Sequence, residues 1–447
     1  MVTKNNKNLK VVMGLGKTGI SCVRFLAKKG FNIAVIDSRD DPPFLNELKQ
    51  NFPEIKIHLG NLAAPFLDEA NELIISPGIS LREPVILKLL EKGIKVNGDI
   101  ELFAKEANAP IAAITGSNGK STVTTLLGKM AKNAGINVKV GGNLGVPALE
   151  LLDANADLYV LELSSFQLET THSLKAKAAT VLNISEDHMD RYRDLTEYAA
   201  AKHRIFMNAE IAVINHDDPL TYENIKLPRK IISFSLDKKT ASDFYFDNGA
   251  LYNKENELIT TSEIKIKGLH QIANVLAALA LGTAINLPED ALLSAIKEFE
   301  GLPHRCQFVA KANDISWYND SKGTNVGATK AAILGLGAGI EGKLILIAGG
   351  LGKGANFAPL QYPIIKFVRA VVLIGQDAKK IEHDLQKCCK IHFAQSMEEA
   401  VELAASLAKP KDAVLLSPAC ASFDMFNNFE HRGEVFITAV HNFLNLI

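Results

Sequence analysis

Lys120 and Ser121 lie near the end of the run Thr115-Gly116-Ser117-Asn118-Gly119-Lys120-Ser121-Thr122, which follows a short apolar stretch at 111–114. Beyond it a helical pattern runs through Leu126, Leu127 and Met130 to a stop at Gly135. A strand that breaks into a glycine turn and resumes as a helix points backbone N–H groups at one spot. A lysine there adds a point charge. Such a nest holds phosphate, and the Ser121 hydroxyl is placed to ligate Mg2+ beside it. The longer nest G-x-x-x-x-G-K-[ST] would need glycine at 114, where this chain has Ile114. The shorter form still predicts a nucleoside triphosphate site built from Gly116, Ser117, Asn118, Gly119, Lys120, Ser121 and Thr122.

Groups that could serve such a site lie farther along. The apolar run 157–162 ends in Glu162, where a phosphate nest needs an acid on a neighbouring strand to hold Mg2+. A predicted strand at 179–184 feeds Ser185-Glu186-Asp187-His188-Met189-Asp190-Arg191-Tyr192, and His188 among these acids reads as a metal or phosphate ligand. Lys202 sits among alanines in a helical stretch, and periodicity alone makes it a surface lysine. The cluster Gly141-Gly142-Asn143-Leu144-Gly145 lets backbone approach a ligand or serves as a plain loop. The helical run 268–279 has an alanine-rich core face and a polar start that faces elsewhere, toward a ligand.

A second glycine turn, Gly14-Leu15-Gly16-Lys17-Thr18-Gly19, joins a strand at 10–13 to a helix, and the next strand, 32–36, ends at Asp37. This is the dinucleotide fingerprint in its strand–turn–helix setting. Alone it suggests NAD and an oxidoreductase. Physically it demands only a pyrophosphate at a helix N-terminus and a polar pocket beyond the second strand, which any nucleotide diphosphate satisfies. The strand 72–75 stops at Ser76-Pro77-Gly78, on the sheet edge where ligands of open α/β sheets collect. Near the other end, Gly301-Leu302-Pro303-His304-Arg305 reads as a hinge. Residues 317–325 are dense in side-chain donors. Strands at 343–348, 369–375 and 412–416 alternate with helical patterns to give a third parallel α/β unit, whose loops carry Lys353, Ser417 and Ser422, suited to a small anion.

The elements that must hold these groups need room. A chain of 447 residues predicts about three domains, taken as 1–98, 99–302 and 303–447. With 47% hydrophobic and 22% charged residues the composition is that of an ordinary soluble globular protein, and a net charge of −1 speaks against a nucleic-acid partner. No apolar run approaches the ~20 residues of a membrane span, and the polar opening lacks a signal peptide's apolar segment. Five cysteines without a C-x-x-C are expected to be reduced, in a cytoplasmic protein.

Taken together, the motifs resemble the Mur ligases, ATP-dependent enzymes that add amino acids to the peptidoglycan precursor. The resemblance runs from Gly14 to Gly433. It is carried by T-G-S-N-G-K-S-T at 115–122, E-L-S-S-F-Q-L at 162–168, E-D-H-M-D-R-Y at 186–192, G-L-P-H-R at 301–305, N-D-S-K-G-T-N at 319–325 and L-S-P-A-C-A-S-F-D at 416–424. The shortened nest is that family's own variant. The resemblance implies a Rossmann-like N-terminal domain, a central P-loop ATPase-type domain and a Rossmann-like C-terminal domain. It also implies ligation of D-glutamate to UDP-N-acetylmuramoyl-L-alanine through an acyl phosphate, by a monomer whose partners are small molecules.

By the same resemblance Leu15, Thr18, Asp37, Ser38, Arg39 and Ser76 hold uridine diphosphate rather than NAD, and Asn143 and Ser164 also contact that substrate. Ser121, Glu162 and His188 correspond to ligands of two Mg2+ ions. Lys202 matches a lysine that is carbamylated, which displaces its surface reading and supplies a carboxylate for the second ion. Lys120, His188 and Lys202 are then catalytic. Asn274, Arg305, Asp320 and Lys322 surround ATP, and Lys353, Ser417, Phe423 and nearby Thr324 surround D-glutamate. Leu351 stands where relatives often carry aspartate, and Gln271 where asparagine is common. Three substrates on three domains imply closure by the C-terminal one. Rival readings are an NAD-dependent oxidoreductase, which leaves the second nest idle, and a non-catalytic nucleotide-binding scaffold. A folylpolyglutamate-type ligase is the third, and it has no use for a uridine pocket.

Overall fold

The computed structural model describes residues 8–445, so most of the polar opening stretch, residues 1–7, lies outside the described residues. The apolar runs become strands of three separate sheets. In the first, β1 (Leu9–Met13), β2 (Asn32–Ile36), β3 (Lys56–His58), β4 (Glu72–Ile75) and β5 (Lys95–Asn97) pair in parallel in the order β3-β2-β1-β4-β5. β1 is buried along its length, as a central parallel strand covered on both faces must be. Strand order switches direction between β1 and β4, which opens a crevice at their C-terminal ends. The helix Lys17–Lys28 starts there. A Cβ on Gly19 would lie 1.8 Å from the Gly14 carbonyl oxygen, so only glycine lets the helix begin this close to the turn.

The second sheet contains β6 (Ile111–Thr115), β7 (Val138–Gly142), β8 (Leu158–Glu162), β9 (Ala178–Val181), β10 (Ile211–Asn215), β11 (Lys230–Ser235), β12 (Phe244–Asp247), β13 (Ala250–Asn253) and β14 (Asn256–Thr260). Their order is β14-β13-β12-β11-β10-β9-β6-β8-β7, parallel except for the β12–β14 meander at one edge. β6 lies between β8 and β9, so the ends of both neighbours flank the turn that follows it. β9 stops three residues before the predicted strand end at 184. Asn183 leaves the ladder because its side chain accepts from the Asn118 N–H at 2.8 Å and donates to the Asn118 carbonyl at 3.0 Å. The helix Leu269–Ala284 is buried on nearly every side against the helix Lys120–Asn133 and β11, which is why its apolar residues form no single stripe.

The third sheet orders β15 (Gln307–Ala312), β16 (Ile315–Asn319), β17 (Leu344–Gly349), β18 (Val368–Ile374), β19 (Lys390–Phe393) and β20 (Ala413–Leu416) as β15-β16-β20-β17-β18-β19. It is not wholly parallel, as the strand alternation suggested: β15 runs antiparallel to β16. The two are joined by Asn313 and Asp314, both at positive φ, the turn whose twist suits a tight hairpin.

The three units are not equally joined. Leu26 of the first helix, Phe103, Leu149 and Tyr159 belong to one continuous apolar cluster that spans the first two sheets, with the Phe103 and Tyr159 rings edge to face at 5.0 Å. The clusters around the third sheet contain only residues beyond Pro303. All five cysteines are free, and among the described residues no helix is long and apolar enough to cross a membrane.

Candidate active site

The nest is pinned from beneath. The Ser117 hydroxyl donates to the Ser185 carbonyl at 3.0 Å and accepts from the Ser185 N–H at 2.9 Å, while Asn118 is held by Asn183. These two side chains therefore fix the turn. Gly119 caps the helix Lys120–Asn133 at φ +83°, and a Cβ there would meet Asn274 Oδ1 at 2.3 Å. Lys120 Nζ folds back onto the carbonyls of Gly116 and Ser117 at 2.8 and 2.9 Å.

Lys202 is not on the surface. It is 1% exposed, and its Nζ donates to the same Gly116 carbonyl at 2.9 Å. The alanines beside it let the helix Leu195–His203 pack closely, and periodicity among alanines carries no information about which side faces in. Burial pushes the Lys202 ammonium well below its ordinary pKa, and neighbouring Lys120 pushes it further. Lys120 is lowered too, by burial, against the pull of Glu162 and Asp187.

Glu162 ends β8 beside Ile114 and is buried. Its Oε1 accepts from Asn143 Nδ2 at 2.7 Å, while Oε2 is buried without a partner among the described residues. Ser121 Oγ accepts from Arg305 at 2.8 Å. A bare carboxylate oxygen and a hydroxyl next to a phosphate nest fit a Mg2+ ion that takes its other ligands from phosphate and water. His188 adopts φ +57° in the loop after β9. Burial lowers its pKa, Asp187 opposes this and Lys353 adds to it, which favours the neutral ring. A second ion beside His188 and Lys202 does not fit an ammonium, and fits only if that amine becomes anionic. Among the described residues no three His, Cys, Asp or Glu side chains cluster as a ready-made metal site.

Asn118, Gly119, Thr122, Asn274, Arg305, Asp320 and Lys322 line one cavity of about 300 Å3 between the second and third sheets. Asp320 is raised to about 6 by burial, with Ser417 Oγ donating to it at 2.7 Å and the Cys306 N–H at 3.1 Å working the other way. Lys322 is lowered to about 8 by burial and by Arg305, and its ammonium lies 3.5 Å from the Phe429 ring centroid. Gln271 Oε1 accepts from Asn274 Nδ2 at 3.1 Å, so the longer side chain orients Asn274. His270 lines the cavity as well and was not singled out from sequence. Its Nδ1 is buried without a partner among the described residues, and burial lowers its pKa to about 4. The polar start of its helix was the one available signal.

The positions expected around D-glutamate are not all brought together. Lys353 is exposed on the loop after β17, close enough for its charge to act on His188. Phe423 is 68% exposed, and Thr324 is half-buried beside Lys322. Ser417 is different: it is fully buried, and its hydroxyl is spent on Asp320 and on Thr329 at 3.0 Å. It holds Asp320 in the wall of the 300 Å3 cavity. Leu351 exchanges two 2.9 Å backbone hydrogen bonds with Ala421, a clasp that does not depend on its side chain.

The first glycine turn borders a cavity of about 520 Å3 lined by Gly14, Gly16, Thr18, Asp37, Ser38, Arg39, Ser76 and Asn143. Leu15 contributes no side chain to it. That side chain is fully buried, and its N–H donates to Asp37 Oδ2 at 2.7 Å. Asp37 also accepts from the Arg39 N–H, Nε and Nη2 at 2.9, 2.8 and 2.7 Å. Burial pushes the Asp37 carboxyl up, but the Arg39 guanidinium and the two N–H donors outweigh it and hold it at about 2. Ser164 accepts from the Gln167 N–H in a capping box, and Gln167 reaches the cavity wall. Asn143 touches both sites, lining this cavity and binding Glu162.

Comparison with known proteins gives one result across the chain. Residues 8–98 match the MurD-like N-terminal domain of Mur ligases, 114–282 the Mur ligase middle domain and 304–420 the Mur ligase glutamate ligase domain. The UDP-N-acetylmuramoylalanine–D-glutamate ligase of Pseudomonas aeruginosa is 52% identical over 437 residues, covering 97% of this chain and 98% of that protein. The enzyme of that name from Coxiella burnetii is 49% identical, with 98% and 99% covered. Among solved structures, UDP-N-acetylmuramate-alanine ligase of Thermotoga maritima superposes with a TM-score of 0.60 at 18% identity, covering 98% of this chain and 100% of that one. The MurF ligase of Thermotoga maritima in complex with ADP gives 0.61 at 17% identity, covering 98% and 97%. In sequence along nearly its whole length and in its three-sheet architecture, this chain belongs to the Mur ligase family.

Proposed function

We infer that this chain is an ATP-dependent ligase that joins D-glutamate to UDP-N-acetylmuramoyl-L-alanine, releasing ADP and phosphate, in the synthesis of the peptidoglycan precursor. The observation that carries the reading is the Asn143–Glu162 contact. It brings a roomy anion cavity on the first sheet up against a triphosphate nest on the second. A redox reading of the first turn loses its basis, because Asp37, the acid that would take a nicotinamide dinucleotide's ribose, is already held by Arg39 and Leu15. The working domains are 1–98 for the acceptor, 99–302 for ATP and 303–447 for the amino acid, and the enzyme acts as a cytoplasmic monomer.

A carboxylate does not condense with an amine in water because oxide is a hopeless leaving group. In this reading an oxygen of the acceptor's carboxylate attacks the γ-phosphorus, the bond to the β-phosphate oxygen breaks, and ADP departs. The resulting acyl phosphate is attacked by the neutral amine of D-glutamate. The tetrahedral intermediate then loses a proton from its nitrogen to water and expels phosphate, so that one hard step becomes two easier ones. Lys120 exchanges the Gly116 and Ser117 carbonyls for phosphate oxygens, and the nest N–H groups meet charge that develops on the moving phosphoryl. Arg305 and Asn325 reach from the third unit to Ser121 and Asn118, the contacts expected when that unit closes over the site and excludes water. Mg2+, held by Ser121 and Glu162 and in a second place by His188 and modified Lys202, would supply further neutralisation of phosphate charge. Burial lowers the pKa of the Lys202 amine, and in its neutral form that amine can add CO2 and lose a proton to become that carbamate. A carbamate carbon signal absent after incubation with labelled bicarbonate would remove this part of the reading.

Phosphate release tests the whole. It should require ATP, UDP-N-acetylmuramoyl-L-alanine and D-glutamate together, and fail with L-glutamate or a folate acceptor. Release without the acceptor, or saturable binding of NAD at the first turn, would refute the assignment.

A further inference from the structure

The loop after β9 touches all three units. Ser185 is tied to Ser117 of the nest, and Asp187 Oδ2 accepts from Asn325 Nδ2 of the third unit at 3.0 Å. Arg191 Nη1 donates to the Gly78 carbonyl of the first unit at 2.9 Å. Gly78 follows β4 in the segment that lines the acceptor cavity, where Ser76 Oγ donates to the Gly14 carbonyl at 2.9 Å. So the side chain that grips the cavity's wall belongs to the loop that carries His188.

Inside that loop Arg191 and His188 are tied twice. The Arg191 N–H donates to the His188 carbonyl at 2.9 Å, closing the turn that holds His188 in a left-handed conformation unusual for a non-glycine residue. Their side chains also share one support, the Phe166 ring. The Arg191 guanidinium lies 4.4 Å from its centroid, and the His188 ring stands edge-on at 4.9 Å. A second arginine repeats the connection: Arg82, from the same segment as Gly78, donates to the Arg191 carbonyl at 3.4 Å and pairs with Glu197. Glu197 lies in the first turn of the helix Leu195–His203, which carries Lys202. Neither arginine lines the cavity between the second and third sheets.

We propose that Arg191, assisted by Arg82, is a positioning residue that relays occupancy of the acceptor cavity to His188 at the phosphoryl-transfer centre, so that the triphosphate site is completed only when the acceptor is seated. This rests on the reading of the first cavity as the acceptor site. An acceptor that draws in the 76–82 segment pulls the Gly78 carbonyl, the guanidinium follows, and the edge-on Phe166–His188 contact moves with it. Linkage makes the effect mutual: bound nucleotide must tighten the acceptor by the same factor. Arginine is required because a lysine could reach the carbonyl but its single ammonium could not also sit over the Phe166 ring while doing so.

Titration calorimetry with a non-hydrolysable ATP analogue, with and without UDP-N-acetylmuramoyl-L-alanine, tests this in wild type, Arg191→Ala, Arg191→Lys and Arg82→Ala. In wild type each ligand should tighten the other about tenfold. In folded Arg191→Ala, each ligand alone should bind within about twofold of wild type while the mutual tightening falls below about twofold, and kcat should drop while the KM for ATP at saturating acceptor rises by about the lost coupling factor. Arg191→Lys, which keeps charge and reach, should lose most of the coupling also, and serves if the alanine variant is unfolded. Arg82→Ala should lose part of it. Coupling kept at the wild-type level in both Arg191 variants, or absent in a wild type that binds both ligands and ligates normally, overturns the relay and leaves the function standing. A wild type that does not bind the acceptor overturns the functional reading and the relay with it.

Discussion

The two glycine turns follow the same plan, a strand, a tight turn and a helix N-terminus, yet they are finished differently. At the first, the charged groups satisfy one another: Asp37 is surrounded by Arg39 and by the Leu15 N–H. At the second, two buried lysine amines crowd one carbonyl, and Glu162 keeps a buried oxygen without a partner among the described residues. A cradle that only holds its ligand can be complete before the ligand arrives. A centre that must meet charge as it develops is left electrostatically unfinished, because groups already paired would have to be unpaired during the reaction.

The sharpest way to break this contrast is at Lys120. Lys120→Ala should lower ligation at least about 10^3-fold, with no loss in thermal stability, since a buried charge is removed. A destabilised protein would show that the nest was already satisfied. Glu162→Gln comes next. An amide keeps the bond to Asn143 but cannot offer a bare anionic oxygen, so kcat should fall about 10^2-fold and the Mg2+ concentration for half-maximal phosphate release should rise. An unchanged Mg2+ requirement would take Glu162 out of the metal site.

At the first turn the corresponding change is smaller and of another kind. Arg39→Ala should raise the KM for the acceptor about tenfold and leave the KM for ATP alone. The same variant tests the pH dependence. The folded Asp37 carboxyl titrates near 2, below the usual ~4 of an unfolded aspartate. Its contribution to stability is therefore complete above about pH 4 and is lost as the pH falls through about 2. Acid denaturation curves of Arg39→Ala should lose much of that component, the two N–H donors keeping the rest, and superimposable curves would mean the pair does not matter. The smallest effect is expected at Ser417. Removing its hydroxyl takes a donor from buried Asp320, worth about 1 kcal/mol, so Ser417→Ala should raise the KM for ATP a few-fold and leave that for D-glutamate unchanged. The reverse pattern would restore Ser417 to the amino-acid pocket.

Much of the fold was legible because its signals are contiguous. A buried strand, a turn that needs glycine and a helix start lie within about fifteen residues of one another, and alternation of strand and helix announces parallel α/β units. The hairpin of β15 and β16 escaped because Asn313-Asp314 gives a weaker turn signal than a glycine pair. The Asp37–Arg39 pairing escaped although its partners are two residues apart, since an acid at the end of the second strand has an equally good use in binding ribose.

The chain's own order of residues determined the two anion cradles, the strands that carry them and the acid at the end of β8, all properties of short segments whose backbone geometry is set locally. Only the tertiary structure decided that Lys202 points inward, that Ser417 serves Asp320, that Asn143 joins the first cavity to Glu162, and that the first two units share a core while the third keeps its own. Each of these depends on what packs against a face, and a residue pattern can mark a face without naming its neighbour.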